Sequence, residues 1–257
     1  MPSATATLTA IMSLESPRPA PGKSLTVVLD AGIYVPSMGK AVIAALRFFN
    51  DQGLVFDENG ALYFVTAKVA KMKKGVETLS DGWVETDYDL IGDIIQLIKI
   101  EGGKKSVKPK HHQPLVQVAG TVESGNPQAG YFQLTIPQWI TADNSAFLPV
   151  KAQIPLESKW KDRSKVIPEK GGIASFVGHL TDVERDSQTD MPTRFVIEVS
   201  RHLDFLGRSS SHSSPSPSTL SALSQADVII FHISNLGRSF SKTWSHEQSL
   251  KASLRPR

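Results

Sequence analysis

The chain has 257 residues, 40% of them hydrophobic and 21% charged, and no cysteine. This composition suits a globular protein long enough to build a core in one large or two small domains, and it excludes disulfides, thiol catalysis and cysteine-ligated zinc. The net charge of +3 is uneven: residues 1–101 carry 9 Lys/Arg against 12 Asp/Glu, residues 102–206 carry 13 against 11, and residues 207–257 carry 6 against 2. Charge alone therefore selects no partner. No apolar run approaches the roughly 20 residues that a membrane-crossing helix needs, so no membrane partner is expected.

Residues 1–23 read as a disordered leader. Met1 to Leu14 is rich in Ser, Thr and Ala and lacks acids, which also fits a weak mitochondrial presequence, but no basic start precedes an apolar run as in a secretory signal. Residues 24–101 read as a small β-rich or α+β domain, with a second barrel as one form open to it. Leu25 to Leu29 is a short apolar run that Asp30-Ala-Gly turns toward Ile33-Tyr34-Val35. In Lys40 to Phe49, the spacing of Val42, Ile43, Leu46 and Phe49 predicts a helix ended by Gly53. After the turn at Asp57-Glu-Asn-Gly60, Leu62 to Met72 alternates as a strand with Tyr63, Val65, Ala67 and Val69 on one side. Gly75 to Asp87 is a polar excursion containing Trp83. The β-branched content of Asp89 to Ile100 favours a strand, with a bulge or close backbone approach at Gly92.

Residues 102–113, with Lys104, Lys105, Lys108, Lys110 and His111-His112, read as a basic linker. From 114 to 207 five runs alternate with period two: 115–122, 131–136, 148–154, 173–180 and 194–199. Gly120 and Gly178 fall where a small barrel must bend. Five such strands suit a Greek-key barrel of the OB type, so the fold class is mainly β with minor α. Residues 208–257 read as a mostly disordered tail, since Ser209 to Ser218 is dominated by Ser and Pro. The apolar island Val228 to Ile233 interrupts that tail.

Alternation assigns sides in the barrel. Phe132, Leu134, Ile136, Leu148, Val150 and Ile154 point inward, which leaves Tyr131, Gln133, Thr135, Lys151 and Gln153 outside. An aromatic that stacks a base and a lysine that tracks phosphate suit single-stranded nucleic acid, although a plain solvated strand face has the same composition. In the following loop Trp160, Lys161, Arg163 and Lys165 extend that set, with Trp160 either stacking a base or plugging the barrel. Trp139 presents the same choice.

Signs of catalysis are poor. Gly39-Lys40 lacks the glycine spacing of a phosphate loop. Asp87, Asp89 and Asp93 form an acidic group without the remaining positions of a calcium loop. His111 and His112 are adjacent and cannot share one face, and His179 and His202 sit within strands. No enzyme activity, cofactor or metal is expected.

The valine-rich strand Val116 to Val122 and the strand Tyr131 to Trp139 precede the late strands Ile173 to Leu180 and Phe195 to Phe205. Together they resemble OB-fold nucleic-acid-binding proteins of the replication-protein-A type. That resemblance implies binding of single-stranded nucleic acid with low sequence preference, in the nucleus or cytoplasm. Residues 45–49, 63–72, 88–94 and 147–155 are also similar to uncharacterised, lineage-restricted proteins of mushroom-forming fungi, a likeness that implies no activity. The alternative expectation is a protein-interaction module that docks a partner strand on a barrel or sheet edge.

Overall fold

The computed structural model describes residues 4–57, 60–75, 79–101, 112–155 and 167–206, with side chains as far as Ser200. Ten strands follow in chain order: β1 (Thr5–Ala20), β2 (Lys23–Val35), β3 (Lys40–Phe49), β4 (Ala61–Lys71), β5 (Leu90–Lys99), β6 (Leu115–Asn126), β7 (Tyr131–Pro137), β8 (Phe147–Gln153), β9 (Ile173–Arg185) and β10 (Pro192–Leu206). Among the described residues the only helical segment is a 3-10 turn at Glu85–Asp87. The expected basic linker lies almost wholly outside the described residues, and so does the expected tail.

The strands close into two rings. In the first, β1 pairs with β2, β2 with β3, β3 with β5, β5 with β4, and β4 with β1 again. The second repeats this order with β6, β7, β8, β10 and β9. In each ring the third and fifth strands run parallel and every other pair is antiparallel. Each ring is a five-stranded OB-type barrel. The five runs expected between 114 and 206 are the five strands of the second ring, and the unit before it is a barrel as well.

Three expectations for the first half are corrected. The expected leader holds β1, where Ala6, Leu8, Ala10, Met12 and Leu14 are buried in strict alternation. β1 continues past a bulge between Glu15 and Arg18, where Ser16 takes a φ of 53° just before Pro17. The expected helix at 40–49 is β3. Val42, Ala44 and Leu46 face the barrel interior, while Ile43 and Ala45 pack into a second cluster outside it. A strand buried on both faces reads as a continuous apolar run, which the eye can fit to helical spacing. The expected turn at Asp30 is the middle of β2.

The barrels are joined through their first strands. Thr5 to Thr9 of β1 pairs antiparallel with Leu115 to Ala119 of β6, centred on Thr7 and Gln117. Both barrels lie within one compact unit, Met1–Ser210. Their interiors form one continuous hydrophobic cluster, in which Leu8 and Val69 of the first barrel meet Val116, Leu180 and Phe195 of the second.

Two glycines let the backbones approach between the fourth and fifth strands of each barrel. A Cβ on Gly92 in β5 would stand 2.1 Å from the Lys68 carbonyl oxygen, and one on Gly178 in β9 would stand 2.3 Å from that of Glu198. A Cβ on Gly120 would meet only side chains, Ile136 at 3.1 Å and Leu134 at 3.9 Å. Gly92→Ala and Gly178→Ala should therefore each lower unfolding free energy by about 1–3 kcal/mol, the usual cost of overpacking. Gly120→Ala should lower it less, because a side chain can move aside. Urea unfolding of the three variants checks the order.

Candidate nucleic-acid interface

On the second barrel, the alternation that buries Phe132, Leu134 and Ile136 leaves Tyr131, Gln133 and Thr135 on the outer face of β7. On β8, Leu148, Val150 and Ala152 are buried, while Lys151 is partly covered and Gln153 exposed. The register sets Tyr131 opposite Gln153, Gln133 opposite Lys151, Thr135 opposite Pro149 and Pro137 opposite Phe147. The five outward residues therefore share one face. Trp160, Lys161, Arg163 and Lys165 lie outside the described residues.

This face has internal partners. The Lys151 ammonium sits 5.0 Å from the centre of the Tyr131 ring and 2.5 Å from Glu184 Oε1. Ser124 Oγ donates to Gln133 Oε1 at 3.0 Å. Lys151 and Glu184 are both partly exposed, and such a pair contributes about 0–1 kcal/mol, so a phosphate can compete for the lysine.

The equivalent face of the first barrel is occupied by its own chain. Between β4 and β5 the chain returns over β2 and brings Ser80, Trp83 and Tyr88 onto Asp30. Tyr88, fully buried, donates its hydroxyl to Asp30 Oδ1 at 2.9 Å, and Ser80 Oγ also donates to Asp30. Arg18 pairs with the same carboxylate at 2.8 Å and donates to Ser80 Oγ at 2.8 Å. Trp83 lies against Tyr88 with ring centres 5.4 Å apart. A buried carboxylate is thus fully partnered, as burial demands. Beyond this cover, the end of the face forms a cleft of about 570 Å³ lined by Lys23, Thr26, Arg47, Phe49 and Asp93.

Tyr88 ionises above its ordinary value of 10.0, first because it is buried and also because it faces the Asp30 carboxylate, against the Ser80 amide that donates to it. A raised folded value means that the neutral phenol contributes fully below pH 10 and that this contribution fades as pH rises through the folded value. Tyr63, raised by burial and by Asp57, acts in the same direction. Stability should accordingly fall above about pH 10. Tyr88→Phe should flatten the fall and leave the Tyr63 part, as read by urea unfolding across that range.

The acidic group expected at 87–93 is dispersed. Asp87 caps the Val84 amide at 2.8 Å. Asp93 accepts from the Thr141 amide at 2.6 Å and its hydroxyl at 2.9 Å. Asp89 is buried, pairs with Arg185 of β9 and accepts from the Ile43 amide at 3.2 Å. Burial holds its carboxyl above the ordinary range, and the Arg185 guanidinium and the Ile43 amide pull it back. Among the described residues no group of three or more His, Asp or Glu is placed to hold a metal ion. His179 lies mid-strand in β9, between Leu115 and Glu198. The side chains of His111 and His202 lie outside the described residues. Trp139 is 62% exposed and does not plug the barrel.

Sequence reasoning missed the contacts that lock the barrels together. Gln138, buried, accepts from the Ala6 amide at 2.5 Å and donates to the carbonyls of Ala6 at 3.0 Å and Val69 at 2.8 Å. Asp89–Arg185 and Asp93–Thr141 span the same junction. The local sequence, Gln138-Trp139-Ile140-Thr141, has no periodicity that marks a junction. Arg185→Met should lower stability by about 3–5 kcal/mol by leaving Asp89 buried without its cation. Adding Asp89→Asn should restore much of the loss, measured as a double-mutant cycle in urea.

No protein-family model matches the sequence, and no curated protein sequence does. Among solved structures, the chain is similar to the wild-type single-stranded DNA binding protein of Thermus aquaticus, with 16% identity over 82% of this chain and 98% of that one, at a TM-score of 0.40. A deletion mutant of the same Thermus aquaticus protein gives 16% identity over 85% and 100%, at a TM-score of 0.42.

Proposed function

We propose that this chain binds single-stranded nucleic acid, without catalysis and with low sequence preference, across the outer face of β7 and β8. The observation that carries this reading is the asymmetry between the two faces. The β2–β3 face is partly covered by residues 79–88, whereas the β7–β8 face presents Tyr131 beside Lys151, both partly exposed. The outer face of the second and third strands is where OB barrels hold oligonucleotides. Tyr131 offers a stacking surface that any base can use, Lys151 meets phosphate, and Gln133, Thr135 and Gln153 offer polar contacts. The alternative, a partner strand added to a sheet edge, finds less to pair with because both rings close through all five pairings.

Tyr131→Ala should weaken binding of a single-stranded oligonucleotide by about 1–3 kcal/mol through lost stacking. Lys151→Ala should weaken it evenly across sequences and reduce the salt slope by about 0.7, one phosphate contact on a single strand. Glu184→Gln, which releases Lys151 from its internal partner, should strengthen binding. Fluorescence anisotropy at two salt concentrations reads all three, with thermal unfolding as the control. Unchanged binding in all three folded variants would transfer the reading to a protein partner.

A further inference from the structure

A second cleft, of about 360 Å³, opens where the end of β4 meets the β7–β8 loop and the turn before β10. Lys71, Lys73 and Lys74 line it, and Met72, Phe147 and Met191 give it an apolar floor and wall. Lys73 is fixed across the junction, 3.3 Å from Asp143 and 3.1 Å from Ser145 Oγ. Asp143 is the only acid in the lining, and its carboxyl is held below the ordinary range by the Ser145 hydroxyl and amide before Lys73 adds to them. Among the described residues, no ion pair engages Lys71 or Lys74. Three cations therefore face one satisfied carboxylate around an apolar floor. That combination suits a ligand that alternates flat apolar groups with negative charge.

The cleft is continuous with the face already described. Phe147 is the first residue of β8, 40% exposed, and it points to the same side as Lys151 and Gln153. From Gln153 to Phe147 the strand spans about 20 Å, with Tyr131 opposite one end and Phe147 at the other. A base stacked on Phe147 would leave its flanking phosphates among the lysines of the first barrel. We propose that the lysine-rimmed cleft is an extension of the binding track, so that one single-stranded nucleic acid passes from the β7–β8 face across the junction onto Lys71, Lys73 and Lys74. This rests on the reading of the β7–β8 face given above.

The test compares oligothymidines of about 5 and about 15 nucleotides, within the range of site sizes for one OB barrel. It uses the full chain, the variants Phe147→Ala and Lys71→Gln/Lys74→Gln, and Tyr131→Ala as the marker of the first site. The wild type should bind the long oligomer more tightly than the gain in length alone explains. The double lysine variant should lose that extra affinity and reduce the salt slope for the long oligomer by about 1.4, two phosphate contacts, with the short oligomer unaffected. Phe147→Ala should weaken the long oligomer about tenfold. If Tyr131→Ala weakens both oligomers but the cleft variants change neither, the extension is wrong and the β7–β8 reading stands. If the cleft variants act and Tyr131→Ala does not, the β7–β8 reading fails and the continuous track fails with it. Absence of binding at either length overturns both. Lysine-dependent binding of a poly-glutamate peptide, without any lysine effect on oligothymidine, would assign the cleft to an acidic protein segment and overturn the proposal.

Discussion

The arrangement depends on one carboxamide. Where the start of β1 leaves β4 to follow β6, the backbone of Ala6 and the carbonyl of Val69 lose their strand partners inside the molecule. Gln138 fills that gap as an added peptide unit, accepting from one amide and donating to two carbonyls. Buried backbone groups without partners are expensive, so a strand cannot fork in a dry core unless something polar closes the fork. Because Gln138 comes from the second barrel and closes a fork in the first, the same three bonds add to the β1–β6 pairing in fixing one barrel on the other. The apolar contacts of Ile140 and Ala146 with Ala45, Ala70 and Tyr88 then follow from the loop that carries it.

The two barrels share a topology but not a surface. In the first, Asp30 draws Arg18, Ser80 and Tyr88 onto the strand face where an OB barrel meets its ligand, and a buried negative charge holds them there. In the second, the corresponding strands carry no buried charge, and the turn between β9 and β10 is too short to return over them. One face is thus stabilised by its own chain, while the other presents Tyr131, Gln133, Thr135 and Lys151 partly exposed. Two features that separate them are Asp30 and the longer connection between β4 and β5.

The legible and illegible parts of the sequence divide along physical lines. The second barrel could be read because its strands are half-buried: Phe132, Leu134 and Ile136 alternate with Tyr131, Gln133 and Thr135, and period two is plain. β3 could not, because on its outer side Ala45 is buried and Ile43 partly buried as well. β1 alternates strictly, but two of its first three buried positions are alanines, which carry little weight in any hydrophobic pattern. The pattern of β2 breaks at Asp30, whose partners Ser80 and Tyr88 lie 50 and 58 residues further along the chain. The outward residues of β7 and β8 could be named from alternation within one strand pair. The cleft of Lys71, Lys74 and Phe147 could not, since its halves come from different barrels and meet only after both have folded.

The pairing of β1 with β6 also bears on how the chain is made. The partners of Ala6 lie 132 residues downstream at Gln138, and those of Thr5 to Thr9 lie on β6. At about 5–20 residues per second, a ribosome takes on the order of 10 s to supply them. Through that interval β1 has one bare edge, with Thr, Ala and Leu along it. Its alternating threonines, Thr5, Thr7 and Thr9, keep the outer side of that waiting strand wettable until its partner is synthesised.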